Sequence, residues 1–190
     1  MKNYICINGK KSELTQEQLK QLGIVKDKIS MSDDGKIVTI GDYEFIVLKH
    51  DKTQGTVELL LKDFLCSEKF GDTNDYRTSH IREVVEEFGD KIADIVGEEN
   101  LVEHNVDLTT VDGDKEFVAI KAKMSLLTFD KLRDCFDVLN EFKPDEWWWL
   151  VSAWATKKHD IESLVSCVSP SGDLGIGICY VVRGVRPFCI

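Results

Sequence analysis

The sequence predicts an α+β domain. Three observations carry that reading: β-rich runs broken by Gly and Asp turns from residue 36 onward, two stretches with a helical stripe of apolar residues, and a return to strand-and-turn patterning in the last 45 residues. A chain of 190 residues is long enough to bury one core without covalent staples. Its 43% hydrophobic content and three prolines argue against a disordered chain.

The elements follow in order. In "YICINGKKSEL" the Asn8-Gly9 pair stands between two short strand-like runs, a strong hairpin signal. "LTQEQLKQLGI" then offers Thr15 as N-cap with Gln18 three residues on, Leu14 and Leu19 as a staple, and Gly23 as the stop. Residues 1–30 therefore read as a hairpin–helix appendage and linker, the linker centred on 25–35, ahead of a main domain at 36–190. "KIVTI", "YEFIVL" and "TVELLL" are strands separated by Gly41-Asp42 and "HDKTQG".

A helix opened by Thr78 or Ser79 places Ile81, Val84, Val85 and Phe88 on one stripe and is expected to end at Gly89. "DKIADIVG" would add a further turn. After a turn at Asp112-Gly113, a second long helix capped at Thr128 would turn Phe129, Leu132, Phe136 and Leu139 inward. "WWWLV", "SLVSCVS", "IGICYVV" and "RGVRPFCI" complete the strands.

Charge is more informative when located than when summed. The net charge is −10, yet residues 1–82 hold 13 acidic and 13 basic side chains and residues 117–190 hold nine of each. Residues 83–116 hold twelve carboxylates against Lys91 and Lys115. One acidic block in an otherwise neutral chain suggests a face that steers a basic partner, and a chain without a basic stripe is not expected to bind nucleic acid directly. The candidate face comprises Glu83, Glu86, Glu87, Asp90, Asp94, Glu98, Glu99 and Glu103.

The six cysteines are scattered without a CxxC pair, and the four histidines show no ligand spacing toward them. They read as reduced, mostly buried thiols, with no metal and no cofactor expected. No apolar run approaches the ~20 residues of a membrane span, and no secretory h-region is visible, so a cytoplasmic protein is expected. HExxH, GxSxG and P-loop patterns are absent.

The tail, with "WWWLVSAWAT", "SCVSPSGDLG" and "GVRPFCI", resembles a domain family of unknown function common in Firmicutes and their prophages, whose members read W-W-L-R-S and end G-V-R-P. "YEFIVLKHDKTQGTVELLL", "YRTSHIREVV" and "KMSLLTFDKL" extend the resemblance over roughly 36–190. It implies a C-type-lectin-like fold, related to formylglycine-generating enzymes, in which two helices flank a twisted, mostly antiparallel sheet. Val151 replaces the family's Arg, while Arg186 is retained and is expected to be buried on a carboxylate or carbonyls.

Trp147, Trp148 and Trp149 are consecutive, so they would populate both faces of a central, buried strand, and are expected to be structural. Trp154, at the entrance to the polar loop "ATKKHDIES", is retained as a possible contact. Lectin-type Ca²⁺ binding fits poorly, because Lys143 of "KPDE" stands where an oxygen ligand is needed. The expected function is therefore non-enzymatic: a phage-type module that binds a protein with a basic surface inside the cell, for instance an anti-defence inhibitor mimicking nucleic acid. A receptor- or glycan-binding module using the loop near Trp154–Ser163 is the alternative, and a thiol-dependent enzyme a third.

Overall fold

The structure, a computed structural model, describes the backbone of residues 4–7 and 10–13, residue 29, and residues 32–190. Strands β1 (Tyr4–Ile7) and β2 (Lys10–Glu13) pair antiparallel with Ile7 opposite Lys10. That register is the hairpin expected around Asn8-Gly9. The turn residues themselves, the expected helix over 15–23, and all of the expected linker except residue 29 and residues 32–35 lie outside the described residues.

The remainder is mixed α+β, with two five-stranded sheets and one additional strand pair. The first sheet runs, in spatial order, β3 (Ile37–Ile40), β4 (Tyr43–Asp51), β5 (Thr56–Leu61), β14 (Phe188–Cys189), β9 (Met124–Ser125). The second runs β12 (Leu174–Ile178), β11 (Leu164–Val168), β10 (Trp148–Ala153), β13 (Val182–Val185), β6 (Cys66–Lys69). Every pairing is antiparallel except β10 with β13. Strands β7 (His104–Val106) and β8 (Ile120–Ala122) form the small pair.

The C-terminal run 182–189 joins the two sheets. Its first half pairs with β6 and β10, its second half with β5 and β9. At the crossing, Leu65 N–H donates to the Val185 carbonyl at 2.9 Å and Leu61 N–H to the Pro187 carbonyl at 2.8 Å. Arg186 sits between these two bonds.

Helix α1 (His80–Val96) is capped by Ser79, whose hydroxyl accepts from Arg82 N–H at 3.3 Å. It does not stop at Gly89 as the sequence suggested. Gly89 is buried inside the helix because the Met124 Cβ of β9 lies 3.1 Å from where a side chain would begin. The stop is Gly97, at φ 93°, whose N–H donates to the Ala93 carbonyl.

Thr128 caps the next helix as expected, accepting from Lys131 N–H at 3.1 Å. The long helix expected there is broken into α2 (Phe129–Asp134) and α3 (Phe136–Leu139), because Cys135 leaves the helical region at φ −111°, ψ 14°. The inward residues are Leu132, Cys135 and Leu139, while Phe136 is 46% exposed, a correction to the expected stripe.

The layers follow from the alternation of side chains. Phe45, Val47, Leu59, Leu61, Trp149 and Val185 pack with Ile81, Val85, Phe88 and Ile92 of α1. Ile46, Leu48, Leu60, Trp148, Leu150 and Phe188 pack with Leu132 and Leu139 of α2–α3 on the other side. Every residue of β10 is buried, as befits a central strand covered on both faces.

Candidate functional site

The tryptophan run divides as the pleat requires. Trp149 joins the α1 side and donates Nε1–H to the Glu68 carbonyl at 3.0 Å, while Trp148 faces α2–α3. Trp147 corrects the expectation of burial: it lies just before the strand and is 38% exposed. The Arg183 guanidinium lies 4.8 Å from its ring centroid and 5.3 Å from that of Trp149. Space for both rings comes from β12, where a Cβ on Gly175 would overlap the Trp147 ring and one on Gly177 would meet Trp149 at 2.7 Å. Sequence reading missed these glycines because their role depends on cross-strand register.

Trp154 is half-buried, its N–H given to the Leu164 carbonyl and its own carbonyl accepting from Asp112 N–H. The loop that follows is clamped by Asn74, 2% exposed, whose side-chain amide donates to the carbonyls of Ala155 at 2.8 Å and Leu164 at 3.1 Å.

The acidic block does not form one uniform face. Glu98 pairs with Lys123, and Glu103 with Lys121 at 3.4 Å. Asp112 meets His159 at 3.2 Å, and Lys158 reaches Asp114 at 3.2 Å and Glu116 at 3.7 Å. The bond from Thr156, followed by that from Lys158, holds the Asp114 carboxyl below its ordinary pKa. Lys121, Lys123 and Lys158 thus pair with Glu103, Glu98, Asp114 and Glu116, four carboxylates in the C-terminal half of the block.

Helix α1 is different. Glu83, Glu87, Asp90 and Asp94 fall at i, i+4, i+7 and i+11, one exposed stripe about 16 Å long. Glu86 stands beside it and is held by Arg82 at 2.7 Å. Glu83 faces His80 at 3.5 Å, while Glu87, Asp90, Asp94 and Glu99 enter no ion pair among the described residues. At the end of the stripe Ile95 is 50% exposed.

Cys66, Cys135, Cys167, Cys179 and Cys189 are free thiols made less acidic by burial. Cys135 and Cys167 are pushed up to about 11 and Cys189 to about 12, with Cys66 and Cys179 also raised. Little thiolate is present on these side chains at neutral pH. A polar group that the sequence did not single out is His104, whose Nε2 lies 3.1 Å from the Ser125 hydroxyl. That hydroxyl donates instead to the Leu126 carbonyl at 2.9 Å, and Ser125 is 1% exposed. The proton is committed away from the imidazole, which is the geometry of a structural contact rather than of an activated nucleophile.

Among the described residues no group of three or more His, Cys, Asp or Glu side chains is placed to hold a metal ion, and no helix is long and apolar enough to cross a membrane. No protein-family model, curated protein or solved structure matches this chain.

Proposed function

We propose that this chain is a non-enzymatic protein-binding module that presents the outer face of α1 to a basic protein surface. The observation supporting this reading is the row Glu83, Glu87, Asp90 and Asp94, exposed along one helix face and largely without cationic partners, while neighbouring carboxylates are neutralised within the fold. Such a row steers a basic groove by long-range attraction, and the exposed Ile95 beside Asp94 provides an apolar anchor that charge alone lacks. A lectin-like scaffold of prophage type, acting on a host nucleic-acid-binding protein as a mimic of its ligand, is the finer form of this proposal. The contact set is then Glu83, Glu87, Asp90, Asp94 and Ile95. Glu98 and Glu103, occupied by lysines, are left outside it.

The test is capture of a basic partner from host lysate, with duplex DNA as competitor. DNA is expected to displace the partner, and the triple reversal Glu87→Lys, Asp90→Lys, Asp94→Lys is expected to abolish capture at low salt. Capture that survives the reversal at low salt removes the proposal.

A further inference from the structure

Strand β12 is an edge of the second sheet, and it lacks the devices that usually blunt one. The opposite edge, β6, carries Glu68 and Lys69, and β9 at the edge of the first sheet is two residues long. β12 reads Leu-Gly-Ile-Gly-Ile, with neither a charge nor a proline.

Backbone bonds at both of its ends fix which groups face outward. Ser169 N–H donates to the Asp173 carbonyl at 2.9 Å, and Cys179 N–H to the Ser163 carbonyl at 2.7 Å. With Gly175 opposite Cys167 and Gly177 opposite Val165, the odd-numbered residues bond to β11. Leu174, Ile176 and Ile178 therefore turn their N–H and C=O groups to the open edge. Among the described residues the one bond made there runs from Val181 N–H to the Ile178 carbonyl, at 2.9 Å.

The side chains divide in the same way. Gly175 and Gly177 face Trp147 and Trp149, and Trp149 belongs to the α1 side of the core. Leu174, Ile176 and Ile178 project from the other face, and the apolar row runs on into Tyr180, Val181 and Val182. All six are 37–58% exposed. They offer on the order of 500 Å² per copy, so two copies together reach the ~1,000 Å² of a specific but reversible contact.

We propose that β12 is the contact edge of a twofold-symmetric dimer, in which the β12 strands of two copies of this chain pair antiparallel about Ile176. The strand is self-complementary, because apolar residues and glycines alternate identically from either end. Ile176 then stands opposite its own copy and exchanges both backbone bonds with it, and Ile178 N–H reaches the Leu174 carbonyl of the second copy. The aliphatic rows merge on one face. On the other, glycine meets glycine, so no side chain holds the backbones apart. The two five-stranded sheets become one.

Sedimentation equilibrium of the full chain from about 1 to about 100 µM is the test. A reversible monomer–dimer equilibrium is expected, and it should tighten as salt rises, because each copy carries a net charge of −10. Capture of a basic partner by the α1 stripe has the opposite salt dependence, so failure of one leaves the other standing. Ile176→Lys sets two like charges face to face across the axis. It should weaken the dimer roughly tenfold or more, with the urea midpoint of dilute protein unchanged at this exposed position. On mild oxidation Ile176→Cys should cross-link beyond the parent chain, since Cα atoms of such a pair lie about 5.5 Å apart. Leu174→Cys should not, because its two copies lie about 14 Å apart along the paired strands. A chain that stays monomeric over this range overturns the proposal, as do open-ended oligomers or a dimer indifferent to Ile176→Lys. A dimer that Ile176→Cys fails to cross-link, or that Leu174→Cys cross-links equally well, overturns it too.

Discussion

At the scale of single residues, the tightest positions are glycines rather than aromatics. Gly177 would place a Cβ 2.7 Å from the ring of Trp149, which is fully buried and cannot move, and 2.6 Å from Arg183 Nε. Gly175 meets Trp147, which is 38% exposed and can swing outward. Gly177→Ala is therefore expected to cost about 1–3 kcal/mol and Gly175→Ala less, read as urea midpoints. An equal cost at both sites would contradict the account. His104 gives a pH signature: burial depresses its pKa, so the unfolded chain binds the proton first and stability falls as pH drops below about 6.5. His104→Gln should flatten the loss between about pH 7 and 5.5, and an unchanged slope would mean that His104 is not its source. The burial of Trp148 and Trp149 was legible because consecutive apolar residues must fill both faces of a strand. The exposure of Trp147 was not, since it depends on where the strand begins and on which neighbour Gly175 offers its ring.

At the scale of elements, caps were legible and interruptions were not. Ser79 and Thr128 announce α1 and α2 because an N-cap is a local hydrogen bond between residues three apart. Gly89 misled because a glycine after an apolar stripe is the usual stop, whereas here it makes room for Met124, a residue 35 positions on. The break at Cys135 likewise has no local signal. The loop after β10 is the element most dependent on a single distant side chain. Asn74 reaches Ala155 and Leu164 with its amide, and its own N–H donates to the Glu162 carbonyl at 2.8 Å. Removing the amide leaves the Ala155 carbonyl without that partner, so Asn74→Ala should cost about 1–3 kcal/mol. Amide exchange should quicken across 155–164 while α1 stays protected. Uniform exchange throughout the chain would show that Asn74 supports the whole core rather than this loop.

At the scale of the molecule, charge and chain path were the parts least available from sequence. The acidic block was visible as a count. Its division into a part paired with lysines and an open stripe depends on Lys121, Lys123 and Lys158, which sequence distance hides. The same holds for the final strand, whose short apolar runs gave no sign that one segment serves two sheets. That path has a thermodynamic consequence. Because residues 182–189 pair with β6 and β10 in one sheet and with β5 and β9 in the other, neither sheet can be lost while the other keeps its full register. The described part of the main domain should therefore unfold in a single transition. All four tryptophans lie in or beside β10, so indole fluorescence follows the second sheet, whereas far-UV circular dichroism at 222 nm is dominated by α1, packed on both. The two signals should share one urea midpoint. Phe188→Ala, in the half of the strand that belongs to the first sheet, should lower both together by about 3–5 kcal/mol, even though it lies in a different sheet from the tryptophans. Fluorescence that holds its midpoint while the dichroism shifts would mean that the two sheets are separate folding units joined only by a tether.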